Sequence, residues 1–366
     1  MGEFMAGMGK KTLAFALGGI GGSNAHGIGF LEAARERGLM PDMLSCTSGM
    51  IHWAWRWLEG ADLRREITLA AEAAPFRGTL TPLNWMILAT RGLEGVFEPA
   101  WNAYVRRLFQ LPPPMSTSDV LDRMFPAQTC VPTRSAQDFA DIATCFNRQS
   151  FPVMFNSFDP STGCEYVHVN DAARAMLDDQ GRRHGRLKRR DPGEHERLKN
   201  SLPKVELATI DTEAVRDALW LTSYGFEAGD GGAPRRRIDG AYVRQFILNE
   251  LAAADVVLTV RPQSYHFEGR LPRNQFEVKD LETEMWFNAP YAQQVARIDL
   301  VNRMVDSGIL PKGSYHHVDI VPVEIQVQRG YFSYFFEDVS VFDDARGESL
   351  RVIDETLARH RAKETA

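Results

Sequence analysis

Residues 13–50 read LAFALGGIGGSNAHGIGFLEAARERGLMPDMLSCTSGM, and this stretch decides the fold. Leu13 to Leu17 is a short apolar run that stops at glycines, as a buried strand entering a loop does. From Ile28 to Glu36 the apolar Ile28, Leu31 and Ala34 recur at helical spacing beside the charged Glu32, Arg35 and Glu36. Gly38 stands where a helix end calls for a residue of positive φ. Met43 to Thr47 reads as a second short strand, which delivers Ser48 and Gly49 into another helix. The order is strand, glycine loop, helix, strand, serine at a sharp turn, helix.

Two chemistries use that order. A glycine loop at a helix N-terminus can hold the phosphates of a dinucleotide. Its backbone N–H groups can instead face a serine nucleophile and form an oxyanion hole. The dinucleotide fingerprint fits poorly: Asn24 takes the place of its third glycine, and Asp42 precedes the second strand instead of ending it. The serine reading fits better.

The same residues resemble the patatin-like phospholipases and acyl hydrolases, whose bacterial members carry a run like LxLGGGGxRGxxHxGVLxxLxxxGIxxDxxxGTSxGA. Leu17, Gly18, Gly19, Gly21, Gly29, Leu31, Gly38, Asp42, Thr47 and Ser48 lie on it without a gap. The family's later Asp-Gly-Gly or Asp-Gly-Ala signature is matched by Asp239-Gly240-Ala241. Ala218 to Gly225 resembles the segment before that aspartate, and Ala254 to Leu258 the strand after it. The likeness covers 11–60 and 150–262. It implies a three-layer α/β/α sandwich with a central, mostly parallel sheet. The catalytic domain would span 11–265 with a helical insertion at about 60–150, and 266–366 would be a C-terminal extension packed on it.

The resemblance also assigns roles. Ser48 would be the nucleophile and Asp239 the base that takes its proton directly, without a histidine. Gly19, Ile20, Gly21, Gly22 and Gly49 would supply the oxyanion hole. The activity implied is hydrolysis of lipid carboxylic esters, with no cofactor and no metal. Among the departures from the family run, Ser23 replaces its basic residue, Asn24 a glycine, and Cys46 and Met50 the glycines flanking the serine. These departures motivate the alternative of a catalytically impaired protein of the same fold that binds lipid or a protein partner.

The remaining sequence bounds these readings. At 366 residues, 44% hydrophobic and 25% charged, the chain can bury a large core and is not a disordered one. A net charge of −6 argues against nucleic acid as the main partner. Cys46, Cys130, Cys145 and Cys164 form no CxxC pair, so free thiols in a reducing, cytoplasmic compartment are expected, with peripheral membrane contact for a lipid substrate. Lys10-Lys11 before an apolar run mimics a signal peptide, but its removal would delete the first strand.

Along the chain, Ile51 to Leu58 predicts a helix apolar nearly all round, buried in the core rather than anchoring in a membrane. Phe151 to Phe158 and Cys164 to Val169 predict a hairpin about the turn Asp159–Gly163. Arg182 to Arg190 is a basic surface loop, with anionic lipid headgroups as the alternative role. Helices are expected at 213–221, 242–252, 291–305 and 348–361, and strands at 256–260 and 318–328. His26 and His52 are rival bases by position, more simply packed or surface histidines. His316-His317 lacks a second ligand pair for a metal.

Overall fold

The computed structural model describes residues 11–19, 24–73, 97–99, 116, 130–132, 134–183, 204–226, 237–261, 271–273, 275–311, 314–324 and 339–365. In chain order the first half gives β1 (Leu13–Leu17), α1 (Ala25–Glu36), β2 (Met43–Cys46), α2 (Met50–Leu58) and α3 (Leu63–Ala73). Then come β3 (Phe97–Pro99), β4 (Cys130–Pro132), α4 (Ala136–Asn147), β5 (Val153–Asp159), β6 (Cys164–Val169) and α5 (Asp171–Arg183). The rest comprises β7 (Lys204–Thr209), α6 (Thr212–Ala218), β8 (Ile238–Asp239), β9 (Val256–Arg261), α7 (Gln275–Asp306), β10 (Asp319–Glu324) and α8 (Val339–Thr365).

The main sheet has the order β10-β9-β1-β2-β5-β6-β7, with β8 added on β5. Strands β10, β9, β1, β2 and β5 run parallel, and β6 turns back as the hairpin partner of β5. β8 lies antiparallel to β5, Ser157 facing Asp239. The sheet is therefore mixed and mostly parallel.

Strand alternation explains the layers. Leu13, Phe15 and Leu17 of β1 enter one core, Ala14 and Ala16 the other, and all five are buried. The first core is closed by α1, α2, α3, α4, α6 and α8, with Phe15 edge-on to Phe30 at 4.8 Å. The second is closed by α5, α7 and the segment 246–254. Helices thus cover both faces. Gly29 lets α8 approach α1 closely, since a Cβ there would fall 2.7 Å from the Phe342 carbonyl oxygen. No helix among the described residues is long and apolar enough to cross a membrane.

Several expectations need correction. α2 buries Met50, Ile51, Trp53, Ala54 and Trp57 fully, whereas Trp55 and Leu58 pack only partly buried against the same core and His52 and Arg56 are half-buried. In the expected helical insertion, β3 and β4 pair antiparallel as a separate two-stranded sheet. The stretch 242–252 is no helix. Its backbone is satisfied by side chains from elsewhere: Asn156 Nδ2 donates to the Gly240 and Arg244 carbonyls, and Gln294 brackets Phe246 O and Leu248 N. α7 and α8 run longer than expected, α7 carrying Pro290 within it. β10 ends at Glu324. The basic stretch beyond Arg183 and the aromatic run 331–336 lie outside the described residues.

Candidate active site

Ser48 is the non-glycine residue of positive φ among those described, at +53°. That left-handed conformation turns the chain between β2 and α2 within two residues, and small side chains tolerate it best. The turn is tied down on both sides. Thr47 N–H donates to Leu17 O at 3.0 Å, extending the sheet, while Met50 N–H and Ile51 N–H close on the Thr47 and Ser48 carbonyls to begin the helix. A strand-to-helix turn of this shape lifts a serine hydroxyl to the carboxyl end of the sheet.

Asp239 meets that hydroxyl. Its backbone N–H donates to Trp220 O at 2.9 Å, and its carboxylate accepts the Ala241 N–H at 2.9 Å and hydrogen-bonds the Ser48 side chain. Ser48 is 2% exposed and Asp239 1%. Burial pushes the Asp239 carboxyl up to about 7, against the pull of its two hydrogen bonds. The structure thus joins the two residues that the sequence singled out 191 positions apart.

Of the expected oxyanion-hole residues, Gly19 and Gly49 are described, whereas Ile20, Gly21 and Gly22 lie outside the described residues. Gly19 is pressed on the serine turn: a Cβ on it would fall 2.2 Å from Thr47 O and 2.8 Å from Gly49 N. Its N–H donates to Thr47 Oγ1 at 3.3 Å, and its carbonyl accepts from Gln245 Nε2 at 3.0 Å. Thr47 Oγ1 in turn donates to Gln245 O at 2.7 Å. Gln245, which the sequence reading did not single out, therefore clamps the start of the glycine loop to the serine turn.

A buried polar network lies beneath Asp239. Asn156 Nδ2 donates to Glu165 Oε1 at 2.8 Å and to Gly240 O at 3.3 Å. Arg244 Nε holds Glu165 at 2.8 Å, and its two terminal nitrogens hold Glu250 at 2.8 and 2.9 Å. Gly240 is needed because a Cβ there would fall 2.2 Å from Asn156 Cγ. A charged residue in each of two otherwise apolar segments, Glu165 and Arg244, was the available signal.

The departures at the turn are absorbed by packing. Cys46 is fully buried, its thiol directed at Met154 O, and burial pushes the thiol up, away from any reactive thiolate. Met50 fills the space over Gly27, where a Cβ would fall 2.3 Å from its sulfur. Gly27→Ala is accordingly expected to destabilise by about 1–3 kcal/mol, and by clearly less in a Met50→Ala background. Urea unfolding of the four proteins measures the coupling; additive effects would refute it.

The rival readings lose their geometry. His26 Nε2 is within 2.9 Å of Gly18 O at the foot of α1, and burial takes its imidazole down to about 4. His52 meets Arg134, not the carboxylate of Asp239. His316 contacts Ala254 O and His317 contacts Asp306. Among the described residues no group of three or more His, Cys, Asp or Glu could hold a metal ion. Asp42 accepts the Leu13 N–H at 2.8 Å at the amino end of β1, opposite to where a dinucleotide ribose would need it. Cys46, Cys145 and Cys164 are free thiols.

No protein-family model matches the chain, and no curated protein matches it. Among solved structures, the crystal structure of VipD from Legionella pneumophila is similar over 94% of this chain and 67% of that one, at 11% identity and a TM-score of 0.31. A likeness at that level decides nothing about the residues of the site.

Proposed function

We propose that the chain is a serine acyl hydrolase of the patatin-like type, cleaving carboxylic esters of lipids: phospholipid, lysophospholipid or acylglycerol. The observation that carries this reading is the hydrogen bond between a left-handed serine and a dry, buried aspartate. A serine hydroxyl is nearly inert at neutral pH and needs a base within reach. Ser48 Oγ attacks the ester carbonyl as its proton passes to Asp239. Backbone N–H groups drawn from Ile20, Gly21, Gly22 and Gly49 would hold the oxyanion, the Gly19 N–H being already donated to Thr47 Oγ1, and removing one such donor typically costs about 10²–10³ in rate. Collapse expels the alcohol, which takes the proton back from Asp239 and leaves an acyl-enzyme. Water then repeats the sequence. Such a substrate implies peripheral contact with a membrane from the cytoplasmic side.

Because a base must be ionised to act, kcat/KM for a short-chain p-nitrophenyl ester is expected to rise with pH through about 7 and level off above it. A flat profile from pH 5.5 to 8.5 would remove Asp239 from the role. A fluorophosphonate probe is expected to label wild type at Ser48 and leave Ser48→Ala unlabelled. The near-complete burial of both side chains favours a second reading, a protein of this fold that binds lipid or a partner without turnover. That reading requires no labelling of wild type, so one experiment separates the two.

A further inference from the structure

We propose that Arg134 and His52 form a binding site for a phosphate-type oxyanion beside the Ser48–Asp239 pair, which would favour ester substrates carrying a phosphorylated headgroup. This deepens the hydrolase reading and rests on it for the link to turnover. His52 follows Ser48 by four residues, one turn of helix, in α2. Arg134 directly precedes Ser135, the N-cap of α4. α2 leaves the carboxyl end of β2, and α4 runs back to the amino end of β5, so both helices start at the carboxyl edge of the sheet, where ligands of such sheets bind. Their positive ends face the same region.

A guanidinium nitrogen of Arg134 meets His52 Nδ1. Because guanidinium only donates, Nδ1 is the acceptor and the imidazole proton sits on Nε2, which becomes a second donor. The His52 ring is fixed edge-on against Trp53 at 5.1 Å and Trp55 at 5.4 Å. Glu66 and Asp138 attract the guanidinium through space, but their hydrogen bonds go to other groups. Glu66 takes both Nε and a terminal nitrogen of Arg56, and Asp138 takes the Ser135 N–H and hydroxyl. Arg134 Nε is shut away from solvent with no hydrogen-bond partner. Burial outweighs the attraction of Asp138, Tyr224 and Glu66 for the guanidinium, and an arriving oxyanion would add charge-assisted hydrogen bonds at the unpartnered Nε. In support, burial holds the Arg134 guanidinium down at about 10, and burial with the charges of Arg134 and Arg56 holds His52 well below its usual range.

The test is calorimetry on Ser48→Ala, so that binding is read without turnover, using glycerophosphocholine, inorganic phosphate, and glycerol as the neutral control. Binding of either phosphate compound, weakened about 10- to 100-fold when Arg134→Ala is added and partly restored by Arg134→Lys, supports the site. Glycerophosphocholine binding alone assigns it to a lipid headgroup, and inorganic phosphate binding alone to a free anion. No heat with either, or undiminished binding in an Arg134→Ala protein of unchanged melting temperature, overturns it. Arg134→Gln serves the same comparison if Arg134→Ala does not fold. Binding that persists while the fluorophosphonate probe leaves wild type unlabelled would keep the anion site and discard the hydrolase.

Discussion

Asp239→Asn is expected to lower ester hydrolysis by roughly 10²–10⁴-fold at pH 8, the range a positioned base contributes, with KM little changed. The asparagine oxygen keeps the acceptor for the Ala241 N–H and its amide nitrogen can donate to Ser48 Oγ, so the loss would report proton transfer rather than collapse of the turn. A stability gain should accompany the loss. The native carboxyl titrates near 7 against an ordinary 3.8, so between these values the folded chain holds a proton that the unfolded chain has released. Stability therefore falls as pH rises through that window. Above it the ionised group carries the full burial penalty, up to roughly 4 kcal/mol. Asp239→Asn removes this term, so its melting temperature should exceed wild type at pH 8, with the gap narrowing as pH falls through 7 and closing only near 3.8. Asp217, also pushed up to about 7 by burial, titrates in the same window in both proteins and cancels from the difference. Unchanged activity, or a variant less stable than wild type at pH 8, would contradict this account of the site.

Arg244→Ala should cost about 3–5 kcal/mol, because it leaves Glu165 and Glu250 without their shared cation. Glu165 is buried between β5 and the chain after Asp239, with water excluded from it, so its charge has no other compensation in reach. Burial works against the guanidinium charge, but the two carboxylates outweigh it and raise the Arg244 pKa. Urea unfolding with unchanged m-value measures the cost, and Arg244→Met combined with Glu165→Gln and Glu250→Gln should recover most of it. A loss below about 1 kcal/mol in Arg244→Ala would mean that the network is far better hydrated than its geometry indicates. Activity should fall with stability, since Asn156 links this network to Gly240 beside the carboxylate.

What the sequence disclosed and what it withheld follow from locality. The first strand, the glycine stop, α1 with Gly38 at +60° after it, and the serine turn are short-range features written in consecutive residues. Asp239 was legible only as a tripeptide at a distance, and its burial and partner were not. Residues 242–252 have helical spacing, yet Asn156 and Gln294 capture their backbone groups, an alternative that lies far along the chain. Pro290 reads as a breaker, but α7 continues through it on the contacts of Tyr291, Gln294 and Ile298 with the second core. Gln245 carried no local mark at all. Its meaning comes from Gly19, 226 positions earlier.

β1 is hydrogen-bonded on one side to β2 and on the other to β9, and that arrangement sets a timetable for biosynthesis. The ribosome completes β2 at Cys46 but must add about 200 more residues, ~10–40 s of translation, before β9 exists. Until then the innermost strand has one flank open, and the hydroxyl at 48 has no carboxylate to meet. Any activity of this chain is thus withheld from the nascent polypeptide, and that exposed flank is what a chaperone would have to guard in the interval.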